Sequence, residues 1–271
     1  MEQIIQIFTI VLTILLGLVV GSFLNVVIYR LPNNMSLAKP ASHCPKCGHP
    51  IKWYDNIPIL SYIILGGKCR NCREKISLRY PFIEFLNMAL WFVCLLVFTN
   101  FIIPSNAMNW LRFVTGCIAC SALLCIFWID LDSMEIPEVL QLVLLLCGLV
   151  LLLDNPTQET IMLKVFGFIG SGLLFYLVNL IFKLIRKTDG IGFGDVELVA
   201  CAGLILGGYK MIYALIIACV GGGLFLLIYA LIKKDKDKLY PFAPLLVTGI
   251  IVAMFTGDIV INWYLNLLGV H

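Results

Sequence analysis

Eight stretches of this chain are apolar over about the length a helix needs to cross a bilayer. They run near Ile4–Tyr29, Phe82–Ile103, Trp110–Ile129, Val139–Leu153, Ile161–Phe182, Val196–Gly208, Met211–Ile232 and Phe242–Leu268. A hydrocarbon core about 30 Å thick takes about 20 residues of helix, with tolerance for shorter or tilted ones. The fourth and sixth stretches are short, and the last is over-long, with room for an interfacial turn around Gly257-Asp258. Composition agrees: the chain is 61% hydrophobic and 13% charged, whereas soluble chains average about 45–50% apolar and about 25% charged. A water-soluble core of this length cannot absorb that surface. The expected fold is an all-α integral membrane protein of about eight transmembrane helices. The first stretch is too long for a signal peptide and has neither a basic flank nor a small-residue cleavage site, so it is expected to stay as a span.

Lysine and arginine orient the spans. With the segment from Arg30 to Tyr80 inside and the chain alternating, sixteen of the nineteen basic residues fall on inside loops, leaving Arg112, Lys164 and Lys210 outside. That predicts both termini outside and the Arg30–Tyr80 insert in the cytoplasm. A net charge of +3 is too small to suggest nucleic acid. The oligomeric state is left open.

The insert is too small for a core of its own, and scaffolds below about 70–80 residues usually need a staple. Cys44-Pro-Lys-Cys47 and Cys69-Arg-Asn-Cys72 provide one. Two residues between cysteines let a tight knuckle aim both thiolates at one tetrahedral ion. Disulfides are the competing reading, disfavoured in a reducing cytosol. With four ligands in place no position is left for water, so the expected zinc is structural. Seven further cysteines, Cys94, Cys117, Cys120, Cys125, Cys147, Cys201 and Cys219, lie in apolar stretches and are read as core packing.

Acids next to hydrocarbon carry the chemistry. A charge at the centre of a spanning helix costs on the order of 2.5–3.5 kcal/mol on insertion scales, so those that persist are candidates for function. One cluster, Asp130-Leu131-Asp132-Ser133-Met134-Glu135-Ile136-Pro137, ends the third stretch; the other, Gly192-Phe193-Gly194-Asp195-Val196-Glu197, begins the sixth. Both ends fall on the cytoplasmic side, so Asp130 and Asp195 can reach one depth. Two carboxylates sharing a proton can activate water and protonate a leaving amine. Gly192 and Gly194 would admit an extended backbone beside the second acid. The competing reading makes these acids helix caps, Asp195 being an N-cap.

Taken together, these segments resemble the type IV prepilin peptidases, the bifunctional leader peptidase/N-methyltransferases of pilus, type II secretion and competence systems. The resemblance rests on Gly21-Ser22-Phe23-Leu24-Asn25 through Arg30-Leu31-Pro32, and on the double CxxC enclosing Trp53-Tyr54-Asp55-Asn56-Ile57-Pro58. It also rests on Ser77-Leu78-Arg79-Tyr80-Pro81 with Glu84, on Asp130 with Ile136-Pro137, and on Gly192-Phe193-Gly194-Asp195. It implies a GxGD-type aspartyl protease of the bacterial inner membrane. Its catalytic pair would be Asp130 and Asp195, with Asp132 as backup, and Gly192, Gly194, Glu197 and Glu84 as supporting residues. The implied substrates are prepilins or pseudopilins cut after a glycine that ends a basic leader. It further implies methylation of the new N-terminus by S-adenosylmethionine, with Gly21, Asn25, Arg30, Trp53, Tyr54, Asp55 and Asn56 as candidates for that half. The implied division is a first helix over 1–29, the zinc-binding insert over 30–80 and a seven-helix peptidase over 81–271. Two departures stand out: Glu197 where the family often has lysine, and Ala243 in Tyr240-Pro241-Phe242-Ala243-Pro244 where it has glycine.

Two other function classes fit part of the pattern. A proton- or cation-coupled transporter would use Asp130 and Asp195 as an ion site, yet no inverted repeat is visible. A membrane scaffold with a partner-binding zinc insert leaves the paired acids without a purpose.

Overall fold

The computed structural model describes residues 2–99, 107–154, 156–187, 190, 192–232 and 241–269. The parts of expected features at Phe101–Ile103, Ile191, Lys233–Lys238 and Leu239-Tyr240 lie outside the described residues. Among the described residues the chain is mostly helical, and the only strand-like pairing is two isolated bridges in the insert, His43 with Pro50 and Lys68 with Lys75. The helices are α1 (Glu2–Arg30), α2 (Leu60–Ile64), α3 (Arg79–Thr99), α4 (Ala107–Ser133), α5 (Glu138–Leu151), α6 (Gln158–Arg186), α7 (Phe193–Leu206), α8 (Gly208–Ile232) and α9 (Ala243–Leu267).

Every apolar stretch thus becomes a helix, which in lipid is the one open-ended way to satisfy backbone polar groups. Length separates them into two kinds. Among the described residues α1, α3, α4, α6 and α9 are long and apolar enough to cross a membrane, while α5 and the described apolar part of α8 are shorter. Five crossings are therefore supported by length, and the expected count of eight is not. The last helix runs unbroken through Gly257-Asp258, where an interfacial turn was expected. Asp258 there pairs with Lys210 at 2.7 Å, and the Lys210 stem lies against Gly257, so the helix has no cause to break.

The chain divides into two compact units, 1–121 and 122–271. In the first, α1 and α3 pack through Gly17 and Gly21, four residues apart on one face. A Cβ at Gly17 would come within 2.9 Å of the Met88 Cα, and one at Gly21 within 2.8 Å of the Glu84 Cα. Small residues at this spacing let helix backbones meet where no hydrophobic effect drives them together. Polar atoms then close the seam. Asn87 Nδ2 donates to the Gly17 carbonyl at 2.7 Å. Ser121 Oγ donates to Asn87 Oδ1 at 2.8 Å and accepts from Trp91 Nε1 at 3.0 Å. The outer face of α1, including Ile4, Phe8, Leu15 and Val19, stays exposed, as a lipid-facing surface should.

The second unit is organised around α7, nine of whose fourteen residues are buried. It packs against α5, α6, α8 and α9, and a helix apolar on every side belongs at the centre. Gly167 and Gly203 bring α6 and α7 into backbone contact, with Ser171 Oγ donating across to the Val199 carbonyl at 3.0 Å. Six of the seven apolar-stretch cysteines are buried as expected, but Cys219 is exposed on α8.

Candidate active site and metal centre

Asp130 lies three residues before the end of α4, and the chain must reverse directly after it. It does so through Met134, held in the left-handed region at φ 55, with the Met134 N–H donating to the Asp130 carbonyl at 3.0 Å. The side chain of Asp130 is only 6% exposed. Its Oδ2 accepts from the Ala243 N–H at 3.1 Å, one of the free donors at the start of α9. The positive end of that helix favours an anion at this place. The Pro-Phe-Ala-Pro stretch therefore begins the helix that holds the first acid.

Gly192, and not Asp195, is the N-cap of α7. Asp195 sits in the first turn, its N–H donating to the Gly192 carbonyl at 3.1 Å, and its carboxyl in turn accepts from the Gly192 N–H, the reciprocal contact of a residue three past the N-cap. The N-cap alternative for Asp195 thus gives way. Held by that one contact, its carboxyl lies within electrostatic reach of Asp130. Gly192 is exposed and Gly194 half-buried. A Cβ at Gly192 would stand 3.3 Å from Asp195 Oδ2, so glycine keeps the approach to that carboxylate open.

Gln141 was not foreseen as a site residue. It is buried on α5, and its Nε2 donates to the Gly194 carbonyl at 3.0 Å. A Cβ at Gly194 would meet Ile136 Cβ at 3.2 Å and Gln141 Nε2 at 3.4 Å. The Ile-Pro pair and Gln141 together clamp the turn that presents Asp195. A polar amide in an otherwise apolar helix, four residues after Pro137, was the available signal. The starts of α5, α7 and α9 and the end of α4 therefore converge at one end of this unit. Asp132 is exposed there, and Glu197 acts one turn onward, on Cys201.

The other sequence candidates belong to the first unit. Glu84 is buried, and its Oε2 accepts from the Ile59 N–H at 2.7 Å. Asn25 Nδ2 reaches the Gly21 and Tyr80 carbonyls, both at 3.3 Å. Arg30 is buried and gathers a loop, donating to the Ser36 carbonyl at 2.9 Å and the Pro40 carbonyl at 2.6 Å. Asp55 takes a two-pronged contact from Arg70, which holds its carboxyl below the usual carboxylate range, and the same guanidinium lies over the Tyr54 ring. Trp53 and Asn56 are exposed. Arg30 and Asp55 are thus engaged in fastening the insert. Trp53, Tyr54 and Asn56 form an exposed aromatic face beside an amide.

The sulfurs of Cys44, Cys47, Cys69 and Cys72 all lie within 4.8 Å of one another. Cys44 Sγ and Cys72 Sγ are 3.8 Å apart, the edge of a tetrahedron with metal–sulfur bonds of about 2.3 Å. Backbone N–H groups aim at the sulfurs. That of His49 leads in lowering the Cys47 thiol to about 7, and those of Cys72 and Asn71 lower Cys69. All four cysteines are free thiols. The cluster fits a four-thiolate metal centre and does not fit two disulfides.

A model of the bacterial peptidase A24 N-terminal domain matches residues 15–98, and one of the type IV leader peptidase family matches residues 117–227. A prepilin leader peptidase/N-methyltransferase of Burkholderia pseudomallei is 35% identical over 270 residues, covering 90% of this chain and 84% of that one. This chain belongs to the type IV leader peptidase family. Proteins of the same name from Neisseria gonorrhoeae and Pseudomonas aeruginosa are 33% and 34% identical, covering 96% and 95% of this chain and 96% and 93% of their own lengths. No solved structure matches significantly. Membership of this family leaves the transporter alternative without support.

Proposed function

We propose that this protein removes the basic leader from prepilins or pseudopilins, after its terminal glycine, using Asp130 and Asp195 as an acid–base pair. It then methylates the new N-terminus with S-adenosylmethionine. The observation that carries the reading is the meeting of these two acids where three helices begin, one fastened to the start of α9 and the other on the first turn of α7. One carboxylate takes a proton from water as the water attacks the scissile carbonyl; its protonated neighbour stabilises the oxyanion and protonates the departing amine. Converging helix N-termini supply positive potential where negative charge develops.

In this reading residues 1–29 are the first span, 30–80 a cytoplasmic zinc-binding insert and 81–271 the peptidase. With α5, α7 and α8 crossing as well as the five longer helices, both termini face out, and the acids lie at the cytoplasmic edge of the inner membrane. The basic residues Lys183, Arg186 and Lys187 at the end of α6 are consistent with that side. A substrate helix would stand in the bilayer with its leader in the cytosol and its scissile bond level with the dyad. S-adenosylmethionine supplies the methyl group, and Trp53, Tyr54 and Asn56 are the residues placed to meet it.

The test is purified full-length protein in detergent with a prepilin substrate. The expected product lacks its leader and, when S-adenosylmethionine is present, gains the mass of one methyl group. An uncut prepilin under conditions where the protein is folded would end the proposal. Gln141 gives a finer check as a positioning residue. Gln141→Leu keeps volume and removes one hydrogen bond, worth about 0.5–1.5 kcal/mol, so kcat for cleavage should fall by a few-fold to about tenfold. KM and detergent stability should hardly move, which separates a misplaced Asp195 from a loosened fold.

A further inference from the structure

Helix α2 is turned inside out for a segment in water. Leu60, Ile63 and Ile64 stand at the i, i+3 and i+4 positions that share one helix face, and they are 56%, 66% and 75% exposed. Ser61 is buried and donates to the Tyr54 carbonyl at 3.0 Å. A helix on an aqueous surface shows the reverse pattern.

The depth of α2 explains the inversion. The Ile59 N–H donates to the carboxylate of Glu84 at 2.7 Å, and Glu84 is the sixth residue of α3. At 1.5 Å per residue, that places the start of α2 beside the first turns of a membrane span rather than beyond its end. Ile59 adopts φ 59 to enter the helix here, a conformation unfavourable for a β-branched residue. The structure thus accepts local strain to keep α2 at this level. Close by, Ile59, Leu78, Arg79, Pro81, Phe82 and Phe85 line an apolar cavity of about 550 Å³.

We infer that α2 is a membrane-interface anchor whose Leu60–Ile63–Ile64 face lies in the headgroup–acyl boundary of an anionic leaflet. Charge selects the lipid. Residues 30–80 carry nine lysines and arginines against two acids, Asp55 and Glu74, and basic segments beside a span are drawn to anionic headgroups. A soluble protein partner would have to reach the depth of the first turns of α3 to cover the same face. The insert is therefore fixed to the membrane at a third point, besides its connections to α1 and α3. The inference depends on α1 and α3 being spans and not on the peptidase chemistry.

The experiment places full-length protein in nanodiscs of phosphatidylglycerol and phosphatidylcholine containing a trace of phospholipid with a diazirine on its acyl chain. After irradiation, adducts are mapped by mass spectrometry. Adducts are expected on Leu60–Ile64 as well as on the outer face of α1, with those on Leu60–Ile64 about twofold or more fewer in discs of phosphatidylcholine alone. Labelled α1 with unlabelled Leu60–Ile64 would overturn the anchor, and equal labelling in the two lipids would overturn its preference for anionic headgroups.

Discussion

Asp130→Asn and Asp195→Asn should each lower leader cleavage by about 10²–10⁴-fold, the range contributed by a positioned proton-transfer group. The substitution suits the site because an amide keeps the size of a carboxyl and removes only its proton chemistry. At position 130 the amide oxygen can still accept from the Ala243 N–H that Oδ2 now engages at 3.1 Å. At position 195 an amide oxygen can likewise still accept from the Gly192 N–H, so the replacement leaves the start of α7 intact. Both variants should therefore insert, purify and unfold in detergent like the wild type. Asp132→Asn and Glu197→Gln are the internal comparison. Asp132 is exposed, and Glu197 lies two residues past Asp195, a spacing at which helix side chains do not face each other, so both should keep cleavage within a few-fold of the parent. Near-normal cutting by either dyad variant would remove that acid from the reaction, while a large loss in Glu197→Gln would mean that the pair has been drawn from the wrong acids.

The parts of this site legible in the sequence are those fixed by short spacing or by long apolar runs. Cys44, Cys47, Cys69 and Cys72 announce their cluster because two residues between cysteines leave a knuckle few other uses. Asp130 and Asp195 stand out because acids at the rim of hydrocarbon are costly. The helices were legible because lipid leaves the backbone little alternative. What escaped the sequence depends on partners far along the chain. Gln141 reads as one polar residue in an apolar helix until Gly194, fifty-three positions away, supplies its acceptor. Arg30 reads as a flanking charge until it collects the carbonyls of Ser36 and Pro40. The number of crossings was not legible for a related reason: α5 and α7 have fourteen residues each, and in α7 the apolar residues face other helices rather than lipid. Hydropathy alone cannot tell a helix buried among helices from one facing acyl chains.

Removing the metal should have a comparably large effect, confined to the insert. In the proposed reading four thiolates on zinc add to the contacts of Arg30 and Asp55 in a segment with two isolated bridges and few buried side chains. Structural zinc in small finger domains contributes about 10–16 kcal/mol of apparent binding free energy, more than such a segment could recover from its own packing. Cys44→Ser and Cys69→Ser should each reduce bound zinc from about one ion per chain to a small fraction of that, measured by elemental analysis of the purified protein. Limited proteolysis should then cut within 31–78, while the helices of the second unit remain protected. Acid works in the same direction. Binding requires thiolates, so proton competition grows and zinc retention weakens as pH falls; the His49 N–H, which lowers the Cys47 thiol, favours the metal-binding form of that ligand, whereas at higher pH all four sulfurs are easier to ionise. Oxidised disulfides would behave differently, holding no zinc and losing their fold to reductant at any pH. Unchanged metal in Cys44→Ser would mean that these sulfurs do not hold the ion, and that something else gives the insert its shape.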